Sequence, residues 1–198
     1  MSVVVAVKDT DRVWVACDSQ TTGGYTKRTI TNKNNYKISK PDKEKETIIG
    51  VVGYAKLTNI IKVEDSFVDE LTKLKDSLDF KYVVKTIVPN MFSLCKDNEL
   101  ITKVKDQESY SMNGGITFAH KNKLFMIESD GYVIEIDDYC ADGSGHKLAL
   151  GYLNQHSDEN KKDMAIKAVK SACENDLFVN YPIIVMNTFD DEILIIEK

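Results

Sequence analysis

The distribution of helical periodicity along the chain constrains the fold more than any other feature. It comes in two blocks, each holding a pair of helical segments, and both blocks lie between runs of short strands. In the first block Leu57, Ile60, Ile61, Phe67, Leu71 and Leu74 recur at the spacing of one helix face. A second segment, Phe80 to Cys95, carries Val83, Val84, Ile87, Val88, Phe92 and Leu94. Pro89 lies inside it, and a residue without an N–H should kink or divide that helix. The second block begins with His146 to Asn154. Its partner helix has Ser157-Asp158-Glu159 as the expected cap region and Met164, Ile166, Ala168, Val169 and Ala172 facing inward.

Strand signals surround these blocks. Val3 to Val7 and Val13 to Cys17 are rich in β-branched residues and are joined by the turn Asp9-Thr10-Asp11-Arg12, which predicts a hairpin. Residues 18–35 are polar, contain Gly23-Gly24 and read as a loop. Tyr36 to Ser39 and Thr47 to Val52 read as strands on either side of a charged turn, Pro41 to Glu46. Ile116 to His120, Lys123 to Glu128 and Tyr132 to Ile136 follow the first helical block, with Asp130-Gly131 as a hairpin turn. Pro182 to Thr188 and Glu192 to Ile196 close the chain. Helices grouped in pairs argue against a doubly wound parallel sheet, in which they alternate with strands. Two antiparallel sheets stacked between two helix layers would bury both pairs, so the expected class is α+β, a four-layer αββα sandwich. No repeat or long linker divides the chain, so residues 1–198 are expected to form a single domain.

Composition narrows the function classes. The formal net charge is -5, which provides no global basic field for nucleic acid or an anionic membrane. Lys27-Arg28 and Lys43-Glu44-Lys45 have acidic neighbours and read as solvated surface. The four cysteines, Cys17, Cys95, Cys140 and Cys173, form no CxxC pair and have no histidine at metal-finger spacing, so a zinc site is not expected. Isolated cysteines suit reduced thiols and a cytoplasmic location. The longest apolar stretches fall far short of a bilayer crossing. The opening Met-Ser-Val-Val-Val-Ala-Val-Lys lacks the basic flank and length of a signal peptide, and no leader is expected.

Several motifs then occur in a fixed order. They are Ser2-Val3-Val4-Val5-Ala6-Val7; Val13 to Gln20 with its acid at Asp18; Tyr36-Lys37-Ile38; Ile49-Gly50-Val51-Val52-Gly53; Ala141-Asp142-Gly143-Ser144-Gly145; and a helix from Ala168 to Asp176. Together they resemble the proteasome β-subunit superfamily of N-terminal-nucleophile hydrolases, including the bacterial HslV-type peptidase, along most of the chain. The resemblance implies a threonine-type peptidase whose first residue after processing is the nucleophile. Here that residue is Ser2, exposed once Met1 is removed. Serine keeps the hydroxyl and the amine but loses the methyl group that restrains the threonine rotamer.

The chemistry requires one residue to serve twice. A serine hydroxyl is a weak nucleophile and needs a base. An α-amino group, with an ordinary pKa of about 7.7–8.0, is partly neutral at pH 7 and can accept the hydroxyl proton. The resemblance makes Lys37 the cation that keeps this amine neutral, with Lys33 and Lys40 as nearby rivals, and makes Asp18 the partner of Lys37. Gly50 is the implied oxyanion donor through its N–H. Ser144 and Asp176 are the implied supporting groups. The plainer readings are a turn aspartate for Asp18, a packing glycine for Gly50, a helix N-cap for Ser144 and a surface acid for Asp176. Val179 stands where the family often has a further serine.

The family's loop at this point also implies a structural Na or Mg ion on the carbonyls of Cys173, Asp176 and Val179. No cofactor is required. The implied partners are peptide or unfolded-protein substrates, further copies of the chain in a homo-oligomeric ring, and an ATP-dependent unfoldase. Two alternatives stay open: a non-catalytic ring or scaffold subunit, and an amidase of the same class acting on small molecules. Cys17, beside Asp18 in an apolar strand, reads as a packed thiol. His120, His146 and His156 have no triad spacing to serine or cysteine.

Overall fold

The computed structural model describes residues 2–41, 46–72, 78–104 and 109–198. Its strands are β1 (Val3–Lys8), β2 (Val13–Cys17), β3 (Gln20–Gly23), β4 (Thr26–Thr29), β5 (Ile38–Ser39), β6 (Thr47–Gly53), β7 (Ile101–Lys103), β8 (Tyr110–Met112), β9 (Gly114–His120), β10 (Lys123–Ile127), β11 (Val133–Glu135), β12 (Tyr139–Gly143), β13 (Ile183–Asn187) and β14 (Leu194–Ile196). The helices are α1 (Ala55–Val63), α2 (Asp65–Thr72), α3 (Phe80–Tyr82), α4 (Val88–Asp97), α5 (His146–Gln155) and α6 (Lys161–Asn175).

Ten strands form two five-stranded sheets, in the orders β12-β1-β2-β13-β14 and β11-β10-β9-β6-β5, antiparallel throughout. Strand alternation explains why the sheets stack between helices. On β1, Val3, Val5 and Val7 join the core under α5 and α6, while Val4 and Ala6 face the other sheet. On β6, Ile49 and Val51 pack with α1 to α4, while Ile48 and Val52 face inward between the sheets. Apolar residues on both faces of a strand are what a layer buried on both sides needs. The expected αββα sandwich is the observed architecture.

Local departures from the sequence reading have physical causes. Residues 18–35, expected as a loop, hold the β3–β4 hairpin and a short 3-10 turn at Lys33–Asn35. The hairpin is polar on both faces, so no apolar alternation announces it, and Gly24 at its tip has φ +57. The helical segment from Leu57 is two helices, broken at Glu64, whose ψ is 102; Leu74, assigned to the same face, and the turn residues 42–45 lie outside the described residues. Pro89 does divide its helix, but by a π-helical stretch at Val83–Ile87, where the Val88 N–H donates to the Val83 carbonyl. The wider turn accommodates a ring that would clash with the carbonyl four residues back. The cap of α6 is Asn160, whose side chain accepts from the N–H groups of Lys162 and Asp163, not the Ser157–Glu159 group. Strands β8 and β12 have no β-branched residue and β7 is only three residues long, so none of the three is expected from the sequence. Among the described residues no helix is long and apolar enough to cross a membrane.

Candidate active site

Register brings the site together. Val3 on β1 pairs with Gly143 on β12, so Ser2 and Ser144, each one residue beyond, lie side by side. The Ser2 N–H donates to Ser144 Oγ at 3.2 Å, and the Ser144 hydroxyl donates back to the Ser2 carbonyl at 3.2 Å. The Gly145 N–H also donates to that carbonyl at 3.2 Å. Gly143 makes the close approach possible: its φ is +95, and a Cβ there would lie 2.3 Å from the Ser2 carbonyl oxygen. Gly145 is the N-cap residue of α5, with no side-chain cap. Ser144 is therefore not the helix cap that its sequence position suggests; its hydroxyl is spent on Ser2.

The same logic places Asp18. Val4 pairs with Cys17, the last residue of β2, so Asp18 falls beside Val3. Asp18 Oδ1 accepts from the Val3 N–H at 2.9 Å and from Lys37 Nζ at 2.6 Å. Its Oδ2 accepts from the N–H groups of Gln20 at 2.9 Å and Asn180 at 3.4 Å. Asp18 is fully buried and Lys37 is 6% exposed. A buried ion pair survives only if its remaining hydrogen-bonding capacity is met, and here four donors converge on one carboxylate. Of the lysines that competed for this role, Lys40 donates to the Asp190 carbonyl, and Lys33 lines a different cavity.

The segment carrying Lys37 is pinned from both sides. Val51 on β6 donates its N–H to the Lys37 carbonyl at 2.9 Å. Lys62 of α1 donates to the carbonyls of Tyr36 at 2.6 Å and Asn34 at 3.0 Å. Burial pushes the Lys62 ammonium down to about 8. Gly50 sits in the middle of β6, opposite Ile38 and Thr117. A Cβ there would lie 2.7 Å from Val4 Cγ1, so sheet-to-sheet packing alone demands glycine.

Among the described residues Asp176 makes no hydrogen bond or ion pair with Ser2, Asp18, Lys37 or Ser144. It is the C-cap residue of α6, and its carboxylate accepts from the Phe178 N–H at 2.7 Å. Its carbonyl takes the Val179 N–H at 3.4 Å, so one of the three carbonyls of the implied cation loop already closes a turn. Among the described residues no cluster of His, Cys, Asp and Glu side chains could hold a metal ion. The Cys17 thiol is fully buried, and desolvation with the Asp18 charge pushes it up to about 12, as suits a core thiol.

The sequence reading missed Gln20, Asn180 and Lys62. Gln20 and Asn180 act on Asp18 through backbone N–H groups, which leave no residue-type signature. Gln20 also spans to the loop after α6, its side-chain amide donating to the Leu177 carbonyl at 3.0 Å. Ser2, Gln20, Lys37 and Val51 open onto one cavity of about 680 Å³, walled by the β3–β4 hairpin and the start of α1.

A family model described as proteasome subunit matches residues 2–186. The chain belongs to the proteasome subunit family. It is 28% identical over 178 residues to a proteasome subunit beta of Methanosphaera stadtmanae, an alignment covering 85% of this chain and 77% of that one. Among solved structures, BPH of Thiobacillus denitrificans in complex with epoxomicin superposes with a TM-score of 0.71 at 20% identity, over 93% of this chain and 97% of that one. HslV of Trypanosoma brucei gives 0.67 at 19% identity, over 93% and 98%. These structural likenesses establish the N-terminal-nucleophile hydrolase fold.

Proposed function

We propose that this proteasome-family chain is a peptidase that uses Ser2 as an N-terminal nucleophile once Met1 is removed. The observation that carries the reading is the double tie between Ser2 and Ser144, beside an Asp18–Lys37 pair buried at the start of the same strand. With Met1 attached, the Ser2 nitrogen is an amide and cannot act as a base. Release of Met1 turns it into an amine 3.2 Å from Ser144 Oγ, the group that would orient it.

The amine then takes the Ser2 hydroxyl proton as the oxygen attacks the scissile carbonyl. Collapse of the tetrahedral adduct breaks the C–N bond, and the proton passes to the leaving amine. Water hydrolyses the resulting ester by the same base. The charge of Lys37, held by Asp18 on the same cavity, disfavours a second positive charge on the amine. The Gly50 N–H is the proposed oxyanion donor. Asp176 has a supporting role at most, through the loop after α6. A Na or Mg ion on the Cys173, Asp176 and Val179 carbonyls would brace that loop and take no part in the reaction.

Family membership supports a homo-oligomeric ring in the cytoplasm that degrades peptides or unfolded proteins supplied by an ATP-dependent unfoldase. The experiment is intact mass of the untagged protein before and after a peptide epoxyketone, a reagent that needs a hydroxyl and a free amine on one residue. Loss of Met1 and one adduct per chain, absent in Ser2→Ala, is expected. Retained Met1 with no adduct points to a non-catalytic subunit. An adduct with turnover of small acyl-amides but not peptides points to an amidase.

A further inference from the structure

The cavity beside Ser2 has a chemical character that the reaction itself does not demand. Its volume is about 680 Å³, and its walls carry hydroxyls and amides from Thr21, Thr22, Thr31, Asn32 and Asn59. Among the described residues that line it there is no aspartate or glutamate, although the chain as a whole carries a net charge of -5. Three cations line it: Arg28, Lys37 and Lys56.

Two of these cations are occupied. Lys37 is held in its ion pair with Asp18 at 2.6 Å. The Lys56 ammonium donates to the Asn98 carbonyl at 2.6 Å. Arg28 is different: among the described residues no hydrogen bond or ion pair holds its guanidinium. Its position is fixed by the hairpin, since Arg28 on β4 pairs with Thr21 on β3 and directly opposed residues present their side chains to the same face. Both residues line the cavity. A guanidinium offers a planar fork of donors that fits a carboxylate with two parallel hydrogen bonds.

We propose that this cavity selects peptides bearing an acidic side chain close to the scissile bond, with Arg28 as the residue that takes the carboxylate. This inference rests on the peptidase reading of the same cavity and adds its substrate class. An exposed pair of this kind gives a modest preference, about fivefold for one well-placed carboxylate. The preference is electrostatic and weakens as salt is added.

The test measures binding apart from cleavage. Fluorescein-labelled peptides that differ only in having Glu or Lys at one scanned position are titrated into the Ser2→Ala protein and followed by anisotropy. At one or more positions the Glu peptide is expected to bind about fivefold tighter or more. The difference should disappear in Arg28→Ala and reverse in Arg28→Glu. No Glu preference at any position, no peptide binding at all, or a preference that survives Arg28→Ala but is lost in Lys56→Gln would overturn the proposal. The two readings separate cleanly. An Arg28-dependent Glu preference in a chain whose Ser2 never takes an epoxyketone keeps the acidic-ligand site and removes the peptidase. An adduct on Ser2 with no Glu preference does the opposite.

Discussion

Asp18 receives four donors: Lys37 Nζ and the N–H groups of Val3, Gln20 and Asn180. The two members of the Asp18–Lys37 pair are therefore unequal under mutation. Asp18→Ala strands a buried ammonium and three backbone donors, and should cost about 3–5 kcal/mol of stability along with all activity. Lys37→Met removes the cation but leaves the carboxylate with its three N–H donors. It should cost less than half as much in urea denaturation while still abolishing epoxyketone labelling of Ser2. Equal destabilisation by the two variants would mean that Lys37, not the backbone, is what holds Asp18. Ser2, Asp18, Lys37 and Ser144 were legible because each directly flanks a strand inside a family-like motif, Ser2 and Lys37 just before β1 and β5, Asp18 and Ser144 just after β2 and β12. Asp176 was legible only as a motif. Its carboxylate closes a turn with Phe178, a local alternative that spacing along the chain does not reveal.

At the scale of elements, the sequence carried those whose side chains repeat with a clear period. The β-branched runs of β1 and β2 and the helices α5 and α6 fall where their patterns predict. β12, Tyr139–Gly143, has no β-branched residue, yet it supplies the register that sets Ser144 beside Ser2. Its strand character comes from the partner β1, a tertiary effect that outweighs local propensity. Gly50 joins the element scale to the site, because β6 must approach β1 closely for Lys37 and Asp18 to meet. Gly50→Ala places a methyl group 2.7 Å from Val4 Cγ1. It should destabilise by about 1–3 kcal/mol through overpacking. In the double variant Val4→Ala/Gly50→Ala the cost should fall short of the sum of the two single costs by at least about 0.5 kcal/mol, read from urea midpoints. Additive costs would show that the sheets can separate there without strain.

The stacking of four layers also decides how the whole molecule responds to pH, because it buries thiols on several strands and helices at once. Burial is the leading cause of the shift in all four: Cys17, Cys140 and Cys173 are raised from 9.0 to about 12, and Cys95 to about 11. In the unfolded chain the same groups ionise near their ordinary value of 9.0. Above that pH the unfolded state holds fewer protons than the folded state, so stability falls as pH rises. Lys62 works in the opposite sense. Its folded-state value, lowered from 10.5 to about 8 by burial, makes the unfolded chain the better proton binder between those limits, which adds stability with rising pH. Between about pH 7 and 8 the lysine leads and the urea midpoint should hold or rise slightly, and between about 8 and 9 the four thiols overtake it. Above 9 four thiols oppose one ammonium, and the midpoint should fall steadily under reducing conditions. Cys173→Ser, at a half-buried position, should make that fall shallower, and Lys62→Met should make it steeper. A midpoint that stays flat to pH 10.5 would mean that the thiols ionise inside the folded protein, and that the layers around Cys17 and Cys140 admit water.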